Sequence, residues 1–145
     1  MNITKFLHLA SHFRWLFFIW MMVSVPYLAI NSSDNPIRLI GRAVFFSGIM
    51  MGFASLSDIS KISGSQKKKL LNPKYVKAIF AYFFVGVIVL IIISLMFISL
   101  KYIYPTADKT ILVEFNKLGY DALVMLLGFL CLIKQFTEQV EYVRK

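Results

Sequence analysis

Charged residues are scarce in this chain, and those present are mostly basic. Only 16% of its 145 residues are Asp, Glu, Lys or Arg, whereas ordinary soluble domains have about 25%. Hydrophobic residues make up 59%, and the mean hydropathy is +0.72. A chain of this composition has too little polar surface to coat a water-soluble globule, so we expect most of it to lie in a membrane.

Residue types that carry chemistry are also scarce. The single cysteine, Cys131, lies within an apolar run and cannot form an intrachain disulfide. The two histidines, His8 and His12, are four residues apart, with no Cys, Asp or Glu near them in sequence. The sequence contains no Gly-rich phosphate loop and no evident Ser/His/Asp set. We therefore expect no catalytic residue, no metal site and no cofactor, and a protein that is not an enzyme.

Four long apolar runs occupy most of the sequence. A helix that crosses the bilayer needs about 20 mostly apolar residues, with a range of roughly 17–25. Most of the runs approach or exceed that length, and they cover Trp15–Ile30, Leu39–Ser57, Ala78–Leu100 and Leu118–Phe136. We predict an all-α integral membrane protein in which residues 1–145 form one domain, a compact bundle of four transmembrane helices.

The basic residues are unevenly divided between the two sides of the predicted spans. Eleven of the 16 Lys and Arg residues lie in or beside the amino-terminal segment, the second connection and the tail, and five lie in or beside the other two connections. Because cytoplasmic segments carry the excess of Lys and Arg, both termini are predicted to be cytoplasmic, in what we expect to be a bacterial inner membrane. Basic residues that flank spans, instead of striping a soluble face, argue against nucleic-acid binding despite the net charge of +9.

Two segments outside the spans suit the headgroup layer of the bilayer. Residues 2–13 divide into an apolar and a polar helical face, which predicts a short amphipathic helix or an extension of the first span. Residues 58–77 are predicted to form a Lys-rich cytoplasmic loop. Lysines beside a span attract anionic headgroups at about 1 kcal/mol each, so Lys67, Lys68 and Lys69 are expected to contact anionic lipids. A solvated loop that only sets orientation, and a docking site for an acidic partner, are the alternatives.

The second span carries a face of small residues. Gly41, Gly48, Gly52 and Ser55 recur at helical spacing, and Gly48 to Gly52 is a literal G-x-x-x-G motif. Small residues let helix backbones approach closely in a membrane. This face is predicted to pack against another helix of the same chain, or else against a second copy in a homo-oligomer.

Arg42 and Asp121 lie within the predicted spans, where isolated charges are costly. Arg42 and Asp121 are each about one turn inside the outer end of a span, so they share a depth, and an intramembrane ion pair between them is one interpretation. Separate snorkelling of each side chain to water is the other. The stretch from Arg38 to Ala43 also aligns without gaps on Lys117 to Ala122, which favours two tandem hairpins related as parallel repeats.

Three classes of function follow. The leading hypothesis is a small non-enzymatic membrane protein that acts as an accessory or assembly subunit, or as a homo-oligomer, with the lipid bilayer and a larger membrane complex as its partners. The alternative is an oligomeric channel or small transporter with Arg42 and Asp121 near its outer mouth. A membrane enzyme acting on lipid or quinone is the third class, and it lacks a visible catalytic group.

Overall fold

The computed structural model describes residues 9–31, 36–59, 62–104 and 108–145 of the chain. A helical turn at residues 9–11 precedes five helices, which are α1 (Phe13–Asn31), α2 (Pro36–Ala54), α3 (Gly64–Leu71), α4 (Pro73–Ile103) and α5 (Lys109–Arg144). The described residues contain no strand. The prediction of an all-helical chain is therefore confirmed.

Four of these helices are long and apolar enough to cross a membrane. They are α1 together with the turn before it, α2, α4 and α5. This confirms the number of candidate spans and their approximate positions. The predicted amphipathic helix over residues 2–13 lies mostly outside the described residues.

Helices α2 and α5 form the centre of the structure and run parallel to each other. Near the start of both, Arg38 contacts Glu114; midway, Gly48 lies against Met125; near the other end, Gln135 donates a hydrogen bond to Ser57. Later residues of α2 thus meet later residues of α5 with a nearly constant separation in sequence.

The outer helices, α1 and α4, each pack antiparallel against one central helix. On α2, the Phe17 ring of α1 stacks on Phe53 at 5.4 Å between centroids. On α5, Phe83 of α4 contacts Phe129 edge-on at 5.3 Å. A Cβ at Gly119 of α5 would lie 3.1 Å from the carbonyl oxygen of Ser94, so α4 approaches α5 closely there as well. The helices are therefore packed in the order α1, α2, α5, α4.

The short helix α3 lies within the segment predicted as a Lys-rich loop. Its first turn is closed by a capping box, in which the Gln66 N–H donates to the Ser63 hydroxyl and the Ser63 N–H donates to the Gln66 side chain, both at 3.3 Å. Leu70 is buried and packs with Val76 and Val140. This small apolar cluster fastens α3 to the adjoining ends of α4 and α5.

Candidate functional site

A cluster of charged side chains lies where α2 and α5 begin, and an ion pair joins the two helices there. The Arg38 guanidinium donates a hydrogen bond to the Glu114 carboxylate, with 2.8 Å between Nη2 and Oε1. Glu114 is buried, and Lys117 lies one helical turn further along α5 with its ammonium 3.5 Å from the same oxygen. A buried carboxylate is thus held between two cations, which offsets the energetic cost of removing its charge from water.

Asp121 reaches α2 at a glycine. A Cβ at Gly41 would lie 2.6 Å from Asp121 Oδ2, so the carboxylate occupies the space that any larger residue at position 41 would fill. Gly41 is itself buried between α2 and α5. The absence of a side chain at this position is therefore what lets the carboxylate lie against the α2 backbone.

Arg42 and Asp121 share two cavities. One, of about 320 Å³, lies between α2 and α5 and is also lined by Arg38, Glu114 and Lys117. The other, of about 440 Å³, extends towards α1 and is also lined by Ser24 and by the aromatic residues Trp20, Phe45 and Phe46. Among the described residues no ion pair within 4.0 Å joins Arg42 to Asp121, so the structure brings them to the same cavities without bonding them. Their pairing stays a prediction.

The smaller cavity is lined mainly by charged side chains. Three cations (Arg38, Arg42 and Lys117) and two carboxylates (Glu114 and Asp121) surround the smaller cavity. The buried Ser24 hydroxyl beside the larger one has no hydrogen-bond partner among the residues that the structure describes. Such surroundings can hold water or a small polar solute near the ends of the helices. In the described ranges, no group of three His, Cys, Asp or Glu residues could hold a metal ion.

The predicted small-residue face is divided by the structure. Gly41 and Gly48 are buried against α5, and a Cβ at Gly48 would lie 2.6 Å from the Met125 Cα. A Cβ at Gly52 would meet nothing within 4 Å. The Ser55 hydroxyl, in the turn that follows α2, donates to the Gly52 carbonyl oxygen at 2.6 Å. The close contact thus uses the first two residues of the face. Gly48 meets Gly128 of α5, where a Cβ would overlap the Gly48 carbonyl oxygen.

The three predicted headgroup-contacting lysines lie together on α3. Lys67, Lys68 and Lys69 are exposed, while the neighbouring Leu70 is buried. Lys68 and Lys69 are in the last turn of the helix, where positive charge is favoured by the helix dipole. The helix therefore presents its basic side chains away from the apolar cluster that holds it.

Sequence inspection missed the Arg38–Glu114 ion pair, because its residues are 76 positions apart. The alignment of residues 38–43 on residues 117–122 was the available signal. If those stretches run side by side in parallel, the residue one turn before Lys117 comes close to Arg38, and that residue is Glu114.

Comparison with known proteins adds nothing to this geometry. No protein family matches the chain, and neither a curated protein nor a solved structure is detectably similar to it. Any functional proposal therefore depends on the chain's own residues.

Proposed function

We propose that the chain is a non-enzymatic accessory or assembly subunit of a larger complex in a cytoplasmic membrane, with both termini on the cytoplasmic side. The observation that carries the proposal is the backbone contact between Gly48 and Gly128 at the middle of α2 and α5. Helices in such contact leave no lumen between them, which favours a role in packing over a role as a conduit within one protomer.

The lateral surface of the protein supports the same role. On α4, Phe84, Ile92 and Leu95 are each about 60% exposed or more, and on α1 Val23 is 65% exposed. These helices are at opposite ends of the packing order, so the protein offers apolar faces on two sides. Lipid alone can cover such faces, and so can the helices of other membrane proteins.

Photo-crosslinking in native membranes tests the proposal. A photoreactive residue at Ile92 or Val23 is expected to crosslink to a different membrane polypeptide, in a complex that keeps fixed stoichiometry after isolation in mild detergent. The same probe at Tyr142, in the tail of α5, is the control for random encounters, since it is also exposed. The proposal would be contradicted if the probes at Ile92 and Val23 crosslink only to lipid and the protein is isolated as a free protomer.

An oligomeric channel or small transporter is the second candidate. The two cavities that Arg42 and Asp121 line favour it, because ionisable side chains that face a cavity within candidate spans mark places where solutes and ions bind. Solute flux in liposomes containing the purified protein distinguishes the candidates. Transport is favoured if the unaltered protein shows flux and Asp121→Asn abolishes it. Glu138→Gln, which removes a carboxylate from the same helix, is the control. Flux equal to that of empty liposomes favours the accessory role.

A further inference from the structure

An apolar groove and a polar pocket meet at Arg14, at the end of the molecule opposite the charged cluster. The groove has a volume of about 540 Å³, and its lining is almost wholly apolar, including Phe18, Met50, Met51 and Leu132 from α1, α2 and α5. The polar pocket, of about 390 Å³, is lined by Ser57, Asp58, Gln66 and Gln139. Arg14 lines both spaces. One molecule with an apolar part and a polar part could therefore occupy them together.

The charges along this path have a definite order. Arg14, the cation, lies at the junction, and its guanidinium carbon is 5.6 Å from the centre of the Trp15 ring. Asp58, the carboxylate, lies on the polar side only. A bound amphiphile would thus meet apolar side chains first, then a positive charge, then a negative one. In a phospholipid with an ethanolamine headgroup, the acyl chains, the phosphate and the ammonium group follow in the same order.

We propose that this site binds one phosphatidylethanolamine molecule. An acyl chain lies in the groove between α1, α2 and α5, the phosphate accepts hydrogen bonds from Arg14, and the ammonium donates to Asp58. The groove has the volume of an ordinary ligand site, about 300–1,000 Å³. Asp58 already interacts within the chain. A carboxylate has about four acceptor positions, so it can accept a further bond from the headgroup.

The position of Trp15 agrees with a site at the membrane surface. Tryptophan is enriched where hydrocarbon meets the headgroups, and Trp15 is exposed while its ring lies beside the Arg14 guanidinium. A cation–π contact with an indole leaves the N–H groups of a guanidinium free to bind a phosphate. Arg14 makes no ion pair with any described residue. It is therefore available to a lipid phosphate.

Native mass spectrometry of the delipidated protein tests the site. Phosphatidylethanolamine, phosphatidylglycerol and phosphatidylcholine of identical acyl chains are added in equal amounts, and one phosphatidylethanolamine adduct is expected to predominate. Arg14→Gln is expected to weaken its binding about tenfold, as loss of a charge-assisted hydrogen bond would. Asp58→Asn is expected to remove the preference over phosphatidylglycerol. Ala54→Phe is expected to weaken binding of all three lipids, because the new ring would enter the groove.

Arg144→Gln is the matched control, since it removes an exposed arginine at the end of α5 without touching either space. An equal loss of binding in Arg144→Gln and Arg14→Gln would mean that lipid follows net charge, and would overturn the site. Preferred binding of phosphatidylglycerol, or equal binding of all three lipids by the unaltered protein, would overturn the headgroup assignment. The competition among lipids needs no variant, so it decides even if Arg14→Gln fails to fold. The outcome of this experiment does not depend on whether the protein is an accessory subunit or a channel.

Discussion

Arg38 Nη2 lies 2.8 Å from Glu114 Oε1, and this ion pair joins the two parallel central helices near their first turns. The two partners are unequally exposed, since the Arg38 side chain is 43% accessible and the Glu114 side chain 7%. The carboxylate therefore depends on the pair more than the guanidinium does. Loss of the arginine leaves a buried negative charge, whereas loss of the glutamate charge leaves an arginine that can reach water.

This inequality predicts the order of stability among variants at the pair. Arg38→Gln should lower the free energy of unfolding by about 1–2 kcal/mol, less than the roughly 3–5 kcal/mol of a fully buried pair, because Arg38 is partly solvated and Lys117 remains beside Glu114. Glu114→Gln should lower it less. Denaturation in detergent measures both values, with Lys109→Gln as the control. A larger loss in Glu114→Gln than in Arg38→Gln would contradict the unequal dependence.

An added methyl group should destabilise the protein at Gly48 of α2 and not at Gly52 of the same helix. Gly48→Ala forces a Cβ into the backbone of Met125 and should destabilise the protein by about 1–3 kcal/mol, as other overpacked sites do. Gly128→Ala, on the other side of the contact, should do the same. Gly52→Ala meets open space and should be neutral or stabilising by up to about 1 kcal/mol, since alanine favours helix. Thermal unfolding measures all three. Equal losses of stability in Gly48→Ala and Gly52→Ala would contradict the prediction that only Gly48 lies in a close contact.

The helices show where sequence patterns suffice and where they fail. All four apolar runs coincide with helices, because the thickness of the bilayer fixes how long such a run has to be. The second run is predicted to continue to Ser57, whereas α2 ends at Ala54 and a turn follows. The other three runs end before the helices do, since hydropathy does not identify helical turns of polar residues beyond the hydrocarbon. Thus α4 begins at Pro73 and α5 continues to Arg144. Helix α3 was missed although Ser63 and Gln66 have the spacing of a capping box.

The contacts between helices were harder to predict than the helices themselves. Gly41, Gly48 and Gly52 fit one face by spacing, but Gly52 lies about 40° around the helix from Gly48 at 3.6 residues per turn. Whether that offset matters depends on the angle at which α2 crosses α5, and the spacing of residues in the sequence does not specify that angle. Likewise, the shared depth of Arg42 and Asp121 in the membrane does not specify where the charged group of each side chain lies. The structure places Asp121 against Gly41, one residue before Arg42.

Double-mutant cycles should give different coupling energies for Arg38 with Glu114 and for Arg42 with Asp121. Arg38 with Glu114 should show the larger coupling, because a direct hydrogen bond joins them. Arg42 with Asp121 should show a coupling of about 0.6 kcal/mol or less, the average for hydrogen-bonded pairs in membranes. Neutral amides at each position provide the variants. A larger coupling for Arg42 and Asp121 would mean that the pair forms in the membrane, and the charge-reversed double variant should then recover the stability that each reversal loses.

The proposed orientation predicts which positions are accessible from outside the cell. In a Cys131→Ser background, a cysteine at Thr110 should react with a membrane-impermeant maleimide in intact cells. A cysteine at Lys68 should react only after permeabilisation, because the excess of Lys and Arg predicts that this side is cytoplasmic. Both positions are exposed, so access to the reagent depends on the membrane and not on burial within the protein. The reverse pattern would invert the topology.

Leu70 should hold α3 against the ends of α4 and α5, and its neighbour Leu71 should not. Leu70 is 4% exposed within an apolar cluster, whereas Leu71 is 56% exposed. Leu70→Ala should remove about 2 kcal/mol of local stability and raise the undocked fraction of α3 roughly 30-fold. Trypsin should then cleave faster after Lys67, Lys68 and Lys69, since cleavage follows the population of the open form. Leu71→Ala should be cleaved like the unaltered protein; equal acceleration in both variants would contradict the anchoring role of Leu70.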